Sequence, residues 1–404
     1  MGKARVLTNL KGLLTPDPAK AWAMDRVEDA ALAVSGGRVA WMGRRADLPG
    51  EWRDAERVDG GGAWATPGFV DPHTHLVFGG DRSGEFNRRL HGVSYAEFAA
   101  EGGGIRETVR ATRAASVAEL TEAGEARLLE LRGRGVVHLE AKTGYGLELE
   151  AEARQLEAYA ALKAKGWSLD VTLLPAHDIP AESAGDAEGY ARRVASEWLP
   201  ELTRRFPGLA RYCDVFIEKG VFTVEQGRAI FEAGKALGLT PRVHADELSW
   251  TGGAELAAEL GGASADHLMF CSEDGMKAMA AAGVTPILLP GTTLFLGMRD
   301  WAPARKMIEA GCSVALASDF NPGSCPCLDP LLILRLGCLQ LRLTFEEAFI
   351  AMTLHAARSL GREELGHLRP GAKAEVLLWD LADPLELVYW VGGAFRPRNP
   401  GLAS

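Results

Sequence analysis

No stretch of this chain stays apolar for long enough to cross a bilayer; the best candidate, VTPILLPGTTLFLGM, is broken by proline and glycine. The opening residues, MGKARVLTNL, carry neither an apolar signal core nor a cleavage pattern. Gly2 follows Met1, but Val6 stands where a myristoylation signal wants Ser or Thr. Cysteine is scarce: six in 404 residues, none before Cys213. In so large a chain without an export signal, scattered thiols are expected to stay reduced, which argues against a disulfide-stapled fold and points to the cytosol. Positive charge is in deficit, with 44 Lys and Arg against 54 Asp and Glu. A net charge of −10 argues against nucleic acid or a membrane surface as partner. It does not exclude a small anionic substrate, because one arginine can dominate a pocket. No short solenoid or propeller period is present.

What is present suits a barrel with a small companion: 47% of the residues are hydrophobic, enough for a large core. ALAVSGGRVAWMG (31–43) has two β-rich arms around Gly36 and Gly37 and reads as a hairpin. LELVYWVGGAFR (385–396) repeats that form, and AEVLLWD (374–380) reads as a further strand. Both ends are therefore expected to join in one small β-sandwich domain, residues 1–66 and 357–404. Residues 67–356 alternate apolar runs with helical stretches. The runs are GFVDPHTH, GVVHLEAK, LDVTLLPAH, YCDVFIEKG, LTPRVHADE, SADHL, TPILLPG and SVALASD. Four helix starts carry a capping box, at Ser94/Glu97, Ser116/Glu119, Thr223/Gln226 and Thr344/Glu347. Leu120, Leu128 and Leu131 fit one helical face. Eight strands alternating with helices predict an α/β fold, a (β/α)8 TIM-like barrel.

Polar residues follow the apolar runs at their C-terminal ends: His73 and His75, His177, His244 and Glu247, His267, and Asp319. In barrels of this class the active site lies on that rim. His73 and His75 are two apart, so in extended chain they share a face and can reach one ion. Neutral imidazole suits Zn²⁺ or Fe²⁺, and a catalytic site needs further ligands and an open position. His244 and Asp319 are the candidates. A lone His-x-His is more often a surface or core pair; the other strand-end residues make it a metal motif. GGGIRET lacks the Lys-Ser/Thr pair of a phosphate cradle. His91, His138, His355 and His367 have no comparable setting and read as structural or exposed.

PGFVDPHTH, HADE, SADH and SDFNPG, in this order, resemble the amidohydrolase superfamily, in particular its mononuclear members. The resemblance implies metal ligands His73, His75, His244 and Asp319, one Zn²⁺ or Fe²⁺ per subunit, and a flanking β-domain built from both chain ends. It also sets Lys142 aside as a carboxylated metal bridge, since that lysine belongs to the fourth strand and Lys142 ends the second. DPHTHLVFGGDR, EGGGIRETVRATRAAS, EAKTGYGLE, PAHDIP, FIEKGVFT, LLPGTT and SDFNPGS narrow the likeness to the imidazolonepropionase family, over about residues 60 to 360. Its members open the cyclic amide of 4-imidazolone-5-propanoate in histidine degradation.

Such a reaction needs an activated water, a proton shuttle and a donor for the oxyanion. Glu247 is expected to move the proton and His267 to stabilise the oxyanion, with Asp319 beside them. The propanoate tail calls for a guanidinium, and Arg82 is the candidate. Tyr145, His177, Glu247, Asn321, Gly323 and Ser324 complete the expected substrate contacts. A guanine or cytosine deaminase would share the metal, Glu247 and His267; Arg82, Tyr145 and His177 favour an acidic-tailed substrate instead. The family also implies a homodimer. Cys325 and Cys327 stand where the family pattern has non-thiol residues.

Overall fold

Apolar runs from the two ends and the middle of the chain pair into two separate sheets in the computed structural model, which describes residues 4–92 and 103–403. The smaller sheet has six strands. β1 (Arg5–Pro16), β2 (Met24–Glu28), β3 (Ala30–Ser35), β4 (Arg38–Arg44) and β5 (Glu56–Pro67) come from the N-terminal part, and Val376–Trp379 is added from the C-terminal part. β3 and β4 form the hairpin expected around Gly36 and Gly37. β1 runs parallel to β5 and antiparallel to β2 and β3, so the sheet is mixed. One face buries Leu7, Leu32, Val376 and Leu402; the other buries Val6, Ala31 and Ala33 against Trp41 and Trp52.

The hairpin expected at 385–396 does not form. Glu386–Tyr389 makes one helical turn instead. The reason lies in Arg335, buried on the helix Pro330–Leu339. Its guanidinium donates to the carbonyls of Leu387 (2.9 Å) and Gly393 (3.1 Å). Those carbonyls satisfy a buried cation rather than a strand ladder.

The second sheet is the barrel. β6 (Phe69–Asp71), β7 (Val136–Lys142), β8 (Leu169–Ala176), β9 (Ala210–Ile217), β10 (Thr240–Ala245), β11 (Ser264–His267), β12 (Thr285–Leu288) and β13 (Ala315–Leu316) lie side by side in chain order, all parallel. Every residue of β7 and β8 is buried, which explains why these strands read as continuous apolar runs rather than alternating ones. The ring is closed between its first and last members by a parallel bridge from Thr74 to Phe320. His75 N donates to Phe320 O (2.8 Å) and Asp319 N to His73 O (3.1 Å) across that seam.

The reciprocal capping boxes at Ser116, Thr223 and Thr344 are present; the one expected at Ser94 and Glu97 lies outside the described residues. Leu120, Leu128 and Leu131 are buried as their spacing predicts. No helix among the described residues is long and apolar enough to cross a membrane, and all six cysteines are free.

Gly68 joins the two sheets. Its N–H donates to Glu375 O (2.9 Å), and a Cβ there would lie 2.2 Å from the Val137 side chain. Val137 is β-branched and buried, so it cannot move aside. Gly68→Ala should therefore destabilise the protein by about 1–3 kcal/mol, read as a lower urea midpoint. An unchanged midpoint would show that the strands slip apart freely here.

Candidate active site and metal centre

Closure of the barrel seam positions the first donors. Thr74 is held in the bridge, and its hydroxyl donates to Glu140 O (2.6 Å). His73 and His75, on either side of it, then share the face opposite Thr74. β10 supplies His244, and Asp319 follows β13. His73 Nε2 lies 3.4 Å, and His75 Nε2 3.6 Å, from Asp319 Oδ1. His244 Nε2 lies 3.4 Å from His75 Nε2. The four side chains expected to chelate are thus brought together, and all are buried. His267 joins His73 and His244, and His177 joins His75 and His244, in donor groups with ligand atoms within 4.8 Å of one another.

The outer contacts orient these rings. His73 Nδ1 is 2.6 Å from Asp266 Oδ2, and His244 Nδ1 is 2.9 Å from Asp214 Oδ2. Carboxylates at Nδ1 favour the tautomers whose Nε2 lone pairs face the centre. Asp319 Oδ2 accepts from the Thr292 hydroxyl (2.5 Å), leaving Oδ1 for the histidines. Burial, reinforced by neighbouring cationic groups, holds His73, His75 and His267 well below the ordinary imidazole range. They are neutral, as ligands must be. Burial also raises Asp319 to about 6.

Two features show that the residues fit a divalent ion. His73 Nε2 is buried with no hydrogen-bond partner among the described residues. Asp319 is buried with its Oδ1 toward two imidazoles and no Lys or Arg in ion-pair contact among the described residues, whereas Glu140, Asp214 and Asp266 share Lys142 and Arg242. A buried carboxylate without a cation is costly in a dry interior, and a bound cation at this point would relieve it.

Around this centre stand the expected substrate-side groups. Glu247 Oε2 lies 3.6 Å from His267 Nε2. Burial, then the nearby Asp319 charge, pushes the Glu247 carboxyl up to about 8. His177 stacks on His75 with centroids 4.7 Å apart, and its Nδ1 is 3.0 Å from Gly144 O. Burial brings it down to about 3. Tyr145 is buried, 5.6 Å from the His75 ring centre and 5.3 Å from that of His177.

Arg82 sits farther out, in a cavity of about 450 Å³ lined also by Phe78, Phe295, Phe320 and Gly323. Its Nε and Nη2 are paired with Glu85 (3.0 and 2.6 Å), and a Cβ on Gly323 would lie 2.0 Å from its Nη1. The absence of a side chain at 323 is what lets the guanidinium reach this position. Asn321 spends both ends of its amide inside its own loop. Oδ1 accepts from Gly323 N and Ser324 N, and Nδ2 donates to Asp319 O and Ser324 Oγ, all at 2.8 Å.

Several residues of the site escaped the sequence reading. Asp214, Asp266 and Glu140 contact the ligand segments, and Glu152 and Glu218 hold the loops that carry Tyr145 and Glu247. The available signal was a carboxylate inside a short apolar run, as in YCDVF, SADHL and VVHLEAK; a buried charge must have a partner. Among the histidines set aside, His138 pairs with Asp170 (3.0 Å) and His355 with Val314 O (3.0 Å), while His91 is exposed.

The amidohydrolase family model matches residues 105–388. An imidazolonepropionase of Geobacillus kaustophilus is 43% identical over 399 residues, covering 96% of this chain and 93% of its own. Another, of Pseudomonas aeruginosa, is 46% identical over 375 residues and 92% of each. The chain belongs to the imidazolonepropionase family of amidohydrolases. It is an enzyme by that membership. A mutant atrazine chlorohydrolase of Arthrobacter aurescens complexed with zinc and atraton shares the fold, with a TM-score of 0.67 at 18% identity over 95% of this chain and 91% of that one.

If the imidazoles form a metal centre, protein stripped by a chelator and reloaded should hold a divalent ion that His73→Ala and His244→Ala lose, by elemental analysis. Full occupancy in both variants would remove the site.

Proposed function

We propose that this chain hydrolyses the cyclic amide of 4-imidazolone-5-propanoate to N-formimidoyl-L-glutamate, with one Zn²⁺ or Fe²⁺ per subunit. The observation that carries this reading is similarity to imidazolonepropionases along nearly the whole chain. His73, His75, His244 and Asp319 would hold the ion. When bound, a divalent ion supplies Lewis acidity that brings the pKa of water from 15.7 toward roughly 7.

The remaining steps fall to the protein's own groups. Glu247 takes a proton from the attacking water. The C–N bond then breaks, and Glu247 returns that proton to the departing ring nitrogen. Burial raises the Glu247 carboxyl to about 8 even with the lowering effect of His244 included, and the charge of a bound dication would lower it toward the range in which it accepts a proton from water. His267 donates to the oxyanion from a neutral ring, and Asp319, whose Oδ1 lies 3.4 Å from His73 Nε2, accepts a hydrogen bond from the attacking water and so orients it. Arg82 grips the propanoate through its Nη1 edge, with Ser324 beside it; Gly323 leaves room for the guanidinium, and Asn321 fixes that loop. Tyr145 and His177 bracket the ring on the side of His75. The reading places the enzyme in the cytoplasm as a homodimer.

The direct test is incubation of metal-loaded protein with imidazolonepropionate, following loss of ring absorbance and appearance of formimidoylglutamate. Guanine and cytosine serve as controls; release of ammonia from either, with no ring opening of the acid, would overturn the assignment. Glu247→Gln should keep the metal and lose about 10²- to 10⁴-fold in kcat; an unchanged rate removes Glu247 from the shuttle. Arg82→Met should raise KM by about 10- to 100-fold, the worth of a charge-assisted hydrogen bond, with a smaller change in kcat. A KM equal to wild type would move the carboxylate site elsewhere.

A further inference from the structure

Lys142 is the last residue of β7 and fully buried, yet the proposed chemistry makes no use of it. Its ammonium donates to Glu140 Oε1 (2.9 Å) and Asp214 Oδ2 (2.8 Å) and lies 3.6 Å from Asp266 Oδ2. The last two oxygens are the same atoms that face His244 Nδ1 and His73 Nδ1. The backbone adds a third link, because Lys142 N donates to Thr74 O (2.9 Å), between His73 and His75. Tyr159 Oη donates to Lys142 O (2.7 Å) and so fixes the lysine from behind. One residue thereby touches the supports of three of the four presumed metal-binding side chains, His73 and His75 on one segment and His244 on another.

We infer that Lys142 is a positioning residue for the metal centre, tying Asp214 and Asp266 together beneath His244 and His73 and so fixing the two imidazoles. The inference rests on the metal reading given above. Its physical content is geometric. Two carboxylates this close repel each other, and a buried carboxylate that lost its cation would turn to find another donor. Either movement releases the imidazole above it, because the contact oxygen is shared. Arg242 does not make these contacts: its guanidinium donates to Pro72 O (2.8 Å) and Ser359 O (3.2 Å), and its ion-pair partner is Glu140 (3.8 Å) rather than Asp214 or Asp266.

The alternative is that Lys142 merely balances charge, and the two roles separate experimentally. Glu140 contacts Lys142 and, through Oε2, Thr74 N (3.4 Å), but no histidine side chain, so Glu140→Gln removes a negative charge while the amide keeps an acceptor for the backbone contact. In Lys142→Met/Glu140→Gln one charge of each sign is removed, and the buried total returns to that of wild type. Zn²⁺ affinity would be measured by competition with a chromophoric chelator, and Co²⁺-loaded protein would report ligand geometry in its visible spectrum. Lys142→Met should bind Zn²⁺ roughly 10- to 100-fold more weakly, the usual cost of losing an outer-shell partner. Glu140→Gln should stay close to wild type, and the double variant should remain as weak as Lys142→Met with an altered Co²⁺ spectrum. Where Lys142→Met does not fold, the charge-balanced double variant against Glu140→Gln makes the same comparison. Metal binding as tight as in the lysine-containing parent, in either variant, overturns the inference. If wild type itself binds no more Zn²⁺ than His244→Ala, the metal centre fails, and the role of Lys142 with it.

Discussion

Lys142 and Arg242 are sealed inside a barrel whose interior in this fold class is ordinarily filled by branched apolar side chains. They share that space with Glu140, Asp214 and Asp266, and none of the five can relax into solvent. Breaking one such pair costs about 3–5 kcal/mol, because it strands a charge in a medium that cannot screen it. Each side chain is therefore confined to the partners it has. The layer spans β7, β9, β10 and β11, and the histidines stand directly on it. What would be a structural liability elsewhere becomes a rigid floor for the site.

The rim above that floor is irregular chain, and its backbone donors need acceptors that no strand supplies. Buried side chains provide them. Glu152 accepts from Gly144, Gly146 and Leu147 at 2.8–3.1 Å and so holds the turn bearing Tyr145. Glu218 accepts from Leu248 N (2.8 Å) and Ser249 N (3.3 Å), just after Glu247. Asp71 takes Ser318 N (3.1 Å), next to Asp319. Leu147, Asp246, His267, Leu268 and Asp319 all adopt positive φ at this rim. Such conformations cost about 1–3 kcal/mol each and persist only where the surroundings over-determine them. The clamps are what over-determine them here.

Much of this was legible before any coordinates. Period and spacing revealed the alternating barrel, three capping boxes and the hairpin at Gly36, because these are local signals. The run of polar residues after each apolar stretch marked the rim, since strand ends lie on one face whatever the loops do. LELVYWVGG misled because its β-rich composition carries no trace of Arg335, some fifty residues earlier, whose buried charge claimed its carbonyls. Asp214 and Asp266 were hidden for a similar reason. Their role is defined by an imidazole on another strand, and sequence periodicity does not record which strands become neighbours. Arg82 was visible as a cation near the mouth, but its pairing with Glu85 depends on how the helix Ser83–Leu90 turns back.

The seam from Thr74 to Phe320 joins the first strand of the ring to the last, and it lies between His73 and His75 on one side and beside Asp319 on the other. Ring closure and assembly of the donor set are consequently one event. A nascent chain that has emerged only through β12 possesses three of the imidazoles but no carboxylate to complete the set, and its first strand has no eighth neighbour. Assembly of the complete donor set is thus deferred until the polypeptide is long enough to complete the circle, and a half-made chain holds only part of it.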